Sequence, residues 1–278
     1  MKNLKKILAL ILAFTMIFAF AACGQDGSND GAADEVQTKL DQIKAAGKLV
    51  VGTSADYPPY EFHTDVDGQD TIVGFDMALA QYIADAIGVD LEIVDMGFDG
   101  LLIGLQNGDF DMVIAGLSPT EERQQVVDFS HPFKVDGQVV LVKTENADKI
   151  TTTDDLMGIK CGYQTGTIQE GFAMKYCSEN DAIGLVKFND LIMELKNDNV
   201  SAVFSDKLVA ISYASANEDL IVQDVGIEYD SEGFAIAMQK GNEDFVEYVN
   251  SVIDPIFSDG TMDKFVEEAV ALAGVSEE

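Results

Sequence analysis

Short apolar runs alternate with amphipathic helical stretches twice along this 278-residue chain, and no other feature restricts its fold as tightly. Val36, Leu40 and Ile43 fall at helical spacing and lead into an apolar run at 48–53 that reads as a buried strand. Gly74 begins a helix whose apolar residues Phe75, Leu79, Ile83, Ala86 and Ile87 keep one face until Gly88 stops it. A strand at 91–94, a helix at 100–107 and a strand at 112–115 follow. Strands and helices alternating at these lengths imply a parallel sheet covered on both faces. After a strand at 138–143 the series restarts: strand 158–163, helix 167–177, strand 184–188, helix 189–198, strand 200–204, helix 206–215, strand 219–223. The expected class is α/β with two Rossmann-like lobes, since the chain also exceeds what one core usually holds. Residues 234–238 add a strand. A long helix then carries Phe245, Val249, Val252, Ile253 and Ile256 on one face, with Pro255 expected to kink it. A last helix runs from Thr261 to about Ala273.

The chain opens Met1-Lys2-Asn3-Leu4-Lys5-Lys6 and then runs apolar to Ala22, the n-region and h-region of an export signal over residues 1–22. Phe20-Ala21-Ala22-Cys23 resembles a bacterial lipobox, in which Cys23 becomes the lipidated first residue after cleavage. Residues 24–34 are small and polar, so 23–46 is expected to be a lipid-anchored tether with a leading helix. The formal charge is −32 at pH 7, and losing three lysines with the leader makes it more negative still. Such a surface repels nucleic acid and anionic lipid, leaving the acyl anchor as the membrane contact. Beyond Cys23 only Cys161 and Cys177 remain, too few for a four-ligand zinc site, and His63 and His131 lie far apart in sequence. No metal and no cofactor are expected. Cys161 enters a turn that the helix ending at Cys177 leaves, so a disulfide and two separate buried thiols both stay open.

Arg123 is the only arginine in the chain, against 49 acids. Thr120, Glu121 and Glu122 read as a helix N-cap with an acidic first turn, which places Arg123 at the positive end of a helix dipole. A cation there needs compensation. An ion pair with a neighbouring acid would supply it, and so would an anionic ligand held by the guanidinium, the Ser118 hydroxyl and turn N–H groups. Ligands of open parallel sheets bind beyond the carboxyl ends of strands. That rule selects four loops: 54–60 with Asp56 and Tyr57, 116–123 with Gly116 and Ser118, 164–168 with Gln164, Thr167 and Ile168, and 205–206 with Asp206. Together they hold groups suited to one small zwitterion. Asp206 alone would read as an N-cap, and Tyr57 and Phe98 alone as rim packing.

With these residues in hand, the chain resembles the bacterial extracellular solute-binding proteins of family 3, the amino-acid receptors of ABC transporters, over roughly 45–273. The resemblance is carried by Gly52-Thr53 through Tyr57-Pro58-Pro59-Tyr60-Glu61-Phe62, Gly74-Phe75-Asp76-Met77, Gly116 through Arg123 with Val127-Asp128-Phe129-Ser130, Gln164-Thr165-Gly166-Thr167, and Val203-Phe204-Ser205-Asp206. It implies a flytrap of two lobes on a two-strand hinge, lobe I being 47–135 plus 234–278 and lobe II 136–233. It also implies that Arg123, Ser118, Thr167 and the Ile168 N–H hold a ligand α-carboxylate. Asp206 and the Gly116 carbonyl would then hold the α-ammonium, and Tyr57 and Phe98 would pack on the side chain. The implied protein is no enzyme. It is a monomeric, extracytoplasmic, lipid-anchored receptor that closes on an L-α-amino acid and delivers it to a permease. An enzyme on this fold, such as a small-molecule dehydratase, would need a general acid or base in the cleft, for which Asp56 and Glu170 are the candidates. A sensor domain is a third reading.

The side-chain subsite is expected to include Ser54, Asp56, Tyr57, Phe98, Gln164 and Ser205. It is polar with aromatic walls and has no basic residue, so a buried acidic side chain would lack a partner. A polar neutral or cationic amino acid is expected. Asp56 favours a cation if it faces the cleft, whereas Ser54 stands where cation-binding relatives often carry an acid.

Overall fold

The computed structural model describes residues 37–230 and 232–274, so the leader, Cys23 and most of the tether lie outside the described residues. Thr38 and Asp41 cap each other's backbone N–H groups at 3.2 and 3.1 Å and start helix α1 (Lys39–Ala46), which Gly47 ends. Strand β1 (Lys48–Thr53) follows. Three short strands, β2 (Asp56–Tyr57), β3 (Glu61–Val66) and β4 (Gln69–Val73), form a small antiparallel sheet that the sequence reading treats as loop. Its tip is Asp67-Gly68, both in the left-handed region (φ 55° and 83°), the geometry of a tight hairpin turn.

Helix α2 (Phe75–Ile87), strand β5 (Asp90–Asp95), helix α3 (Leu101–Asn107), strand β6 (Met112–Val113), the single-turn helix α4 (Glu121–Gln124) and strand β7 (Val127–Phe129) complete the first run. The first sheet has the order β5-β1-β6, all parallel, extended by a late strand and β7 in antiparallel sense. The second lobe carries β8 (Gln138–Lys143), β9 (Cys161–Gln164), α5 (Ile168–Tyr176), β10 (Ala182–Leu185), α6 (Phe188–Lys196), β11 (Ala202–Asp206), α7 (Lys207–Ala216) and β12 (Leu220–Gln223). Its sheet runs β10-β9-β11-β8-β12, with the first three parallel and β8 antiparallel to both neighbours. Both sheets are therefore mixed rather than purely parallel. The members that run against the rest are β8 and the late strand at 237–239, the strands that the chain enters from the two crossovers between lobes.

The late strand β13 (Ala237–Gln239) returns to the first sheet, followed by α8 (Glu243–Ser258), which runs on through Pro255, and α9 (Thr261–Leu272). The two crossovers pair with each other: Phe133 N–H donates to Phe234 O at 2.8 Å and Phe234 N–H to Lys134 O at 2.6 Å. Phe75, Leu79 and Ile83 of α2 and Phe245, Val249, Ile253 and Ile256 of α8 are fully buried in one cluster. Cys161 and Cys177 are free thiols buried in the second lobe's core.

Candidate ligand-binding cleft

The loop between β1 and β3 reaches the cleft because α2 grips it. Gly74 (φ 128°) sits so close that a Cβ would lie 2.0 Å from Tyr60 O. The first N–H groups of α2, those of Phe75 and Asp76, donate to the carbonyls of Pro59 (3.1 Å) and Tyr60 (3.0 Å). Tyr57 and Glu61 are register partners across β2 and β3, so both side chains point to one side, whereas Tyr60 turns into the core between Phe75 and Phe234.

Between the lobes lies a small cavity. Ser54, Tyr57, Glu61, Phe98, Gly116, Ser118 and Arg123 line it from the first lobe; Gln164, Thr167, Ile168, Gln169 and Asp206 line it from the second. Ten of the residues singled out from the sequence thus meet around one space: Ser54, Tyr57, Phe98, Gly116, Ser118, Arg123, Gln164, Thr167, Ile168 and Asp206.

Thr120 caps α4 by accepting the Arg123 N–H at 3.3 Å. The guanidinium donates through Nη1 to Ser118 O (2.8 Å) and through Nη2 to Gly166 O across the cleft (2.9 Å), and it lies over the Phe98 ring at 5.5 Å. None of the ion pairs among the described residues involves Arg123. Burial lowers its pKa to about 10, which leaves it charged at neutral pH. Among the described residues the ion-pair reading of this arginine is therefore not what the fold provides: its hydrogen bonds go to neutral carbonyls, and Tyr229 and Glu122 act on it only through longer-range charge.

Thr167 is the N-cap of α5, and its hydroxyl donates to Gln164 O at 2.6 Å, so the first N–H groups of that helix start at the cavity wall. Gly166 (φ 78°) lets the turn come within van der Waals distance of the first lobe; a Cβ there would sit 3.0 Å from Asp99 Cα. Glu170 accepts the Gly166 N–H at 3.0 Å and stays outside the cavity, which removes it as a cleft acid or base.

Asp206 ends β11. Its side chain makes no cap bond to α7 and points inward. Tyr57 Oη (2.7 Å), Gln169 Nε2 (3.1 Å) and Gln138 Nε2 all donate to it. Burial, with Asp136 nearby, nevertheless pushes its pKa up to about 7, so the carboxylate is short of positive charge.

Asp56 departs from its expected role. It does not line the cavity: its carboxylate accepts the Phe188 N–H at 2.6 Å and Gln164 Nε2 at 3.4 Å, and its own carbonyl accepts from Tyr213 Oη at 2.8 Å. It clasps one lobe to the start of α6 on the other. Beside Asp206 the cavity is lined by a second acid, Glu61, to which the sequence reading gives no role. Glu61 is 1% exposed, and among the described residues its Oε2 has no hydrogen-bond donor. Burial, with Asp76 beside it, raises its pKa well above the carboxylate range. The usable signal was strand alternation, with Tyr60 inward and Glu61 opposite. Gln169 was missed too, although it stands two residues after Thr167 in the same helix start.

The chain belongs to the bacterial extracellular solute-binding proteins, family 3, whose model matches residues 49–270. It is 33% identical over 268 residues to a probable histidine-binding protein of Campylobacter jejuni, covering 95% of this chain and 98% of that one. It is 31% identical over 266 residues to the arginine-binding extracellular protein ArtP of Bacillus subtilis, covering 94% and 96%. Among solved structures it is similar to the amino acid ABC transporter substrate-binding protein AbpA of Streptococcus pneumoniae bound to L-arginine, with TM-score 0.82, 35% identity, and 85% and 100% coverage.

Proposed function

We propose that this chain is the receptor of an amino-acid ABC transporter and that its preferred ligand is a cationic L-α-amino acid, L-arginine first. The observation that carries the reading is the charge map of the cavity: a guanidinium without a carboxylate partner on one wall, and two buried carboxyl groups, Asp206 and Glu61, on others. An α-carboxylate complements Arg123, assisted by Ser118, Thr167 and the Ile168 N–H. An α-ammonium complements Asp206 and the Gly116 carbonyl. A side-chain cation complements Glu61 between the rings of Tyr57 and Phe98. Ligands of AbpA and ArtP support the choice of arginine, and Glu61 supplies the acid that Ser54 does not.

Because the ligand touches both walls, its binding holds the lobes together on the paired crossovers, and the closed form is what a permease would recognise. The export signal and the Cys23 lipobox support an extracytoplasmic, lipid-anchored location, and the receptor is expected to act as a monomer. The relatives above are binding proteins, which favours a non-enzymatic role over the dehydratase reading.

Glu61→Gln tests the cation reading. Hydrogen bonds to charged groups contribute about 1.5 to 3 kcal/mol, so calorimetry should show arginine affinity falling roughly tenfold to a hundredfold. Affinity for glutamine should move far less. Unchanged arginine affinity in the folded variant would remove Glu61 from the ligand set.

A further inference from the structure

We propose that Glu61 and Asp76 form a single proton-sharing carboxyl pair that carries one negative charge and thereby selects a singly charged cationic side chain, with Asp76 as the positioning residue. This rests on the reading that the ligand side chain meets Glu61.

Asp76 is the second residue of α2, fully buried under the cavity floor. Its Oδ2 accepts the Gly116 N–H at 2.8 Å, which anchors the backbone of a residue that lines the cavity. Its Oδ1 and Glu61 Oε2 are both buried and have no hydrogen-bond partner among the described residues, and the backbone sets the two residues beside each other, the Asp76 N–H donating to Tyr60 O, next to Glu61, at 3.0 Å. Asp76 also raises the pKa of Glu61. Two neighbouring carboxyl groups in so dry a place, with no donor between them, do not both stay ionised, and one shared proton relieves the repulsion.

The groups facing the pair add negative or neutral character: Asp56 and Asp206 by charge, Tyr57 and Tyr60 by their rings, with Arg123 the only cation among the described residues that line the cavity. Burial pushes Asp76 up to about 7, and burial with Asp76 beside it raises Glu61 well above the carboxylate range. Below that pH the pair holds two protons and is neutral; above it, one proton and one negative charge. A guanidinium matches the second form. Binding to the first form releases one proton from the pair to solvent, while the guanidinium keeps all of its own.

A neutral isostere gains nothing from this charge. The affinity ratio of L-arginine to L-citrulline removes the α-group contacts, which both ligands make alike, and comparison with Asp76→Asn separates the pair from the charge of Asp206. The ratio should rise by up to about tenfold per pH unit below neutrality and level off above it. Asp76→Asn keeps an oxygen for the Gly116 N–H and turns an NH₂ towards Glu61, holding that carboxylate ionised without a shared proton.

The experiment is calorimetry of wild type and Asp76→Asn with both ligands from about pH 5.5 to about pH 8.5. The expected result is a ratio that climbs and then plateaus in wild type and stays near the plateau value throughout in the variant. A flat wild-type ratio with tight arginine binding overturns the pair and leaves the ligand assignment standing, as does an identical climb in the variant. Absence of arginine binding at every pH overturns the ligand assignment instead. Should Asp76→Asn not fold, Glu61→Gln replaces it, with a ratio expected to be low and flat; a climbing ratio in that variant overturns the pair.

Discussion

The Asp56 carboxylate accepts the Phe188 N–H at 2.6 Å, joining a strand of the first lobe to the first residue of a helix in the second. Carboxylates are favoured at helix N-termini, and this one is 4% exposed, so the contact is little weakened by solvent. Tyr57 stacks edge-on against the Phe188 ring at 5.1 Å, and Lys187 reaches Asp95 at 3.6 Å beside it. The Asp56–Phe188 bond joins the lobes without itself lining the space between them, although Tyr57 and Gln164 beside it do.

Asp56→Ala should therefore speed ligand release without altering specificity. Losing a charge-assisted bond of about 1.5 to 3 kcal/mol that exists only when the lobes are closed predicts dissociation roughly tenfold or more faster. Stopped-flow measurement of arginine release checks this, with the rank order of amino acids preserved. An unchanged release rate would show that the clasp does not bias closure.

Arg123→Ala should abolish binding of every amino acid and leave the fold intact. Two charge-assisted bonds to an α-carboxylate are lost together, so the affinity should fall a hundredfold or more. Arg123→Lys should recover little, because an ammonium cannot present the planar fork that grips a carboxylate. Calorimetry giving near-native affinity for either folded variant would displace Arg123 from the carboxylate site.

Stability without ligand should fall as pH rises towards neutrality. Asp76 and Asp206 have folded pKa values of about 7, above the roughly 3.9 of an unfolded aspartate, and Glu61 is raised as well. Between those limits the folded chain holds protons that the unfolded chain has released, so raising the pH favours unfolding. Melting temperature should be higher near pH 5.5 than near pH 8, by several degrees. Saturating arginine should narrow the gap by giving the ionised carboxyl groups a partner. A melting temperature that climbs steadily from pH 5.5 to 8 without ligand would contradict the protonation states assigned to these groups.

What the sequence makes legible here is tied to strand ends. Arg123, Thr167 and Asp206 each lie at or just beyond the carboxyl end of an apolar run, so the loop rule for parallel sheets brings them to one cleft. Residues 54–73 are harder. Pro58 and Pro59 make the stretch look like a loop, and the Asp67-Gly68 hairpin signal lies six residues beyond Glu61. Only the Tyr57–Glu61 register shows which of two nearby acids enters the cavity. Asp56 and Glu61 are interchangeable by composition, and a shift of one residue in that pairing would exchange their faces. Likewise the lipobox and leader are read from the chain alone, since they lie outside the described residues.

The most direct test of the account is a set of thermal melts with each of the twenty amino acids. A ligand at a hundred times its Kd stabilises the closed form by about 2.7 kcal/mol, which for a chain of this size is a rise of several degrees. L-arginine should give the largest shift, lysine or histidine a smaller one, and aspartate and glutamate none. If an acidic amino acid gives the largest shift, the assignment of Glu61 and Asp206 is wrong; if no amino acid shifts the melt, the chain is not an amino-acid receptor.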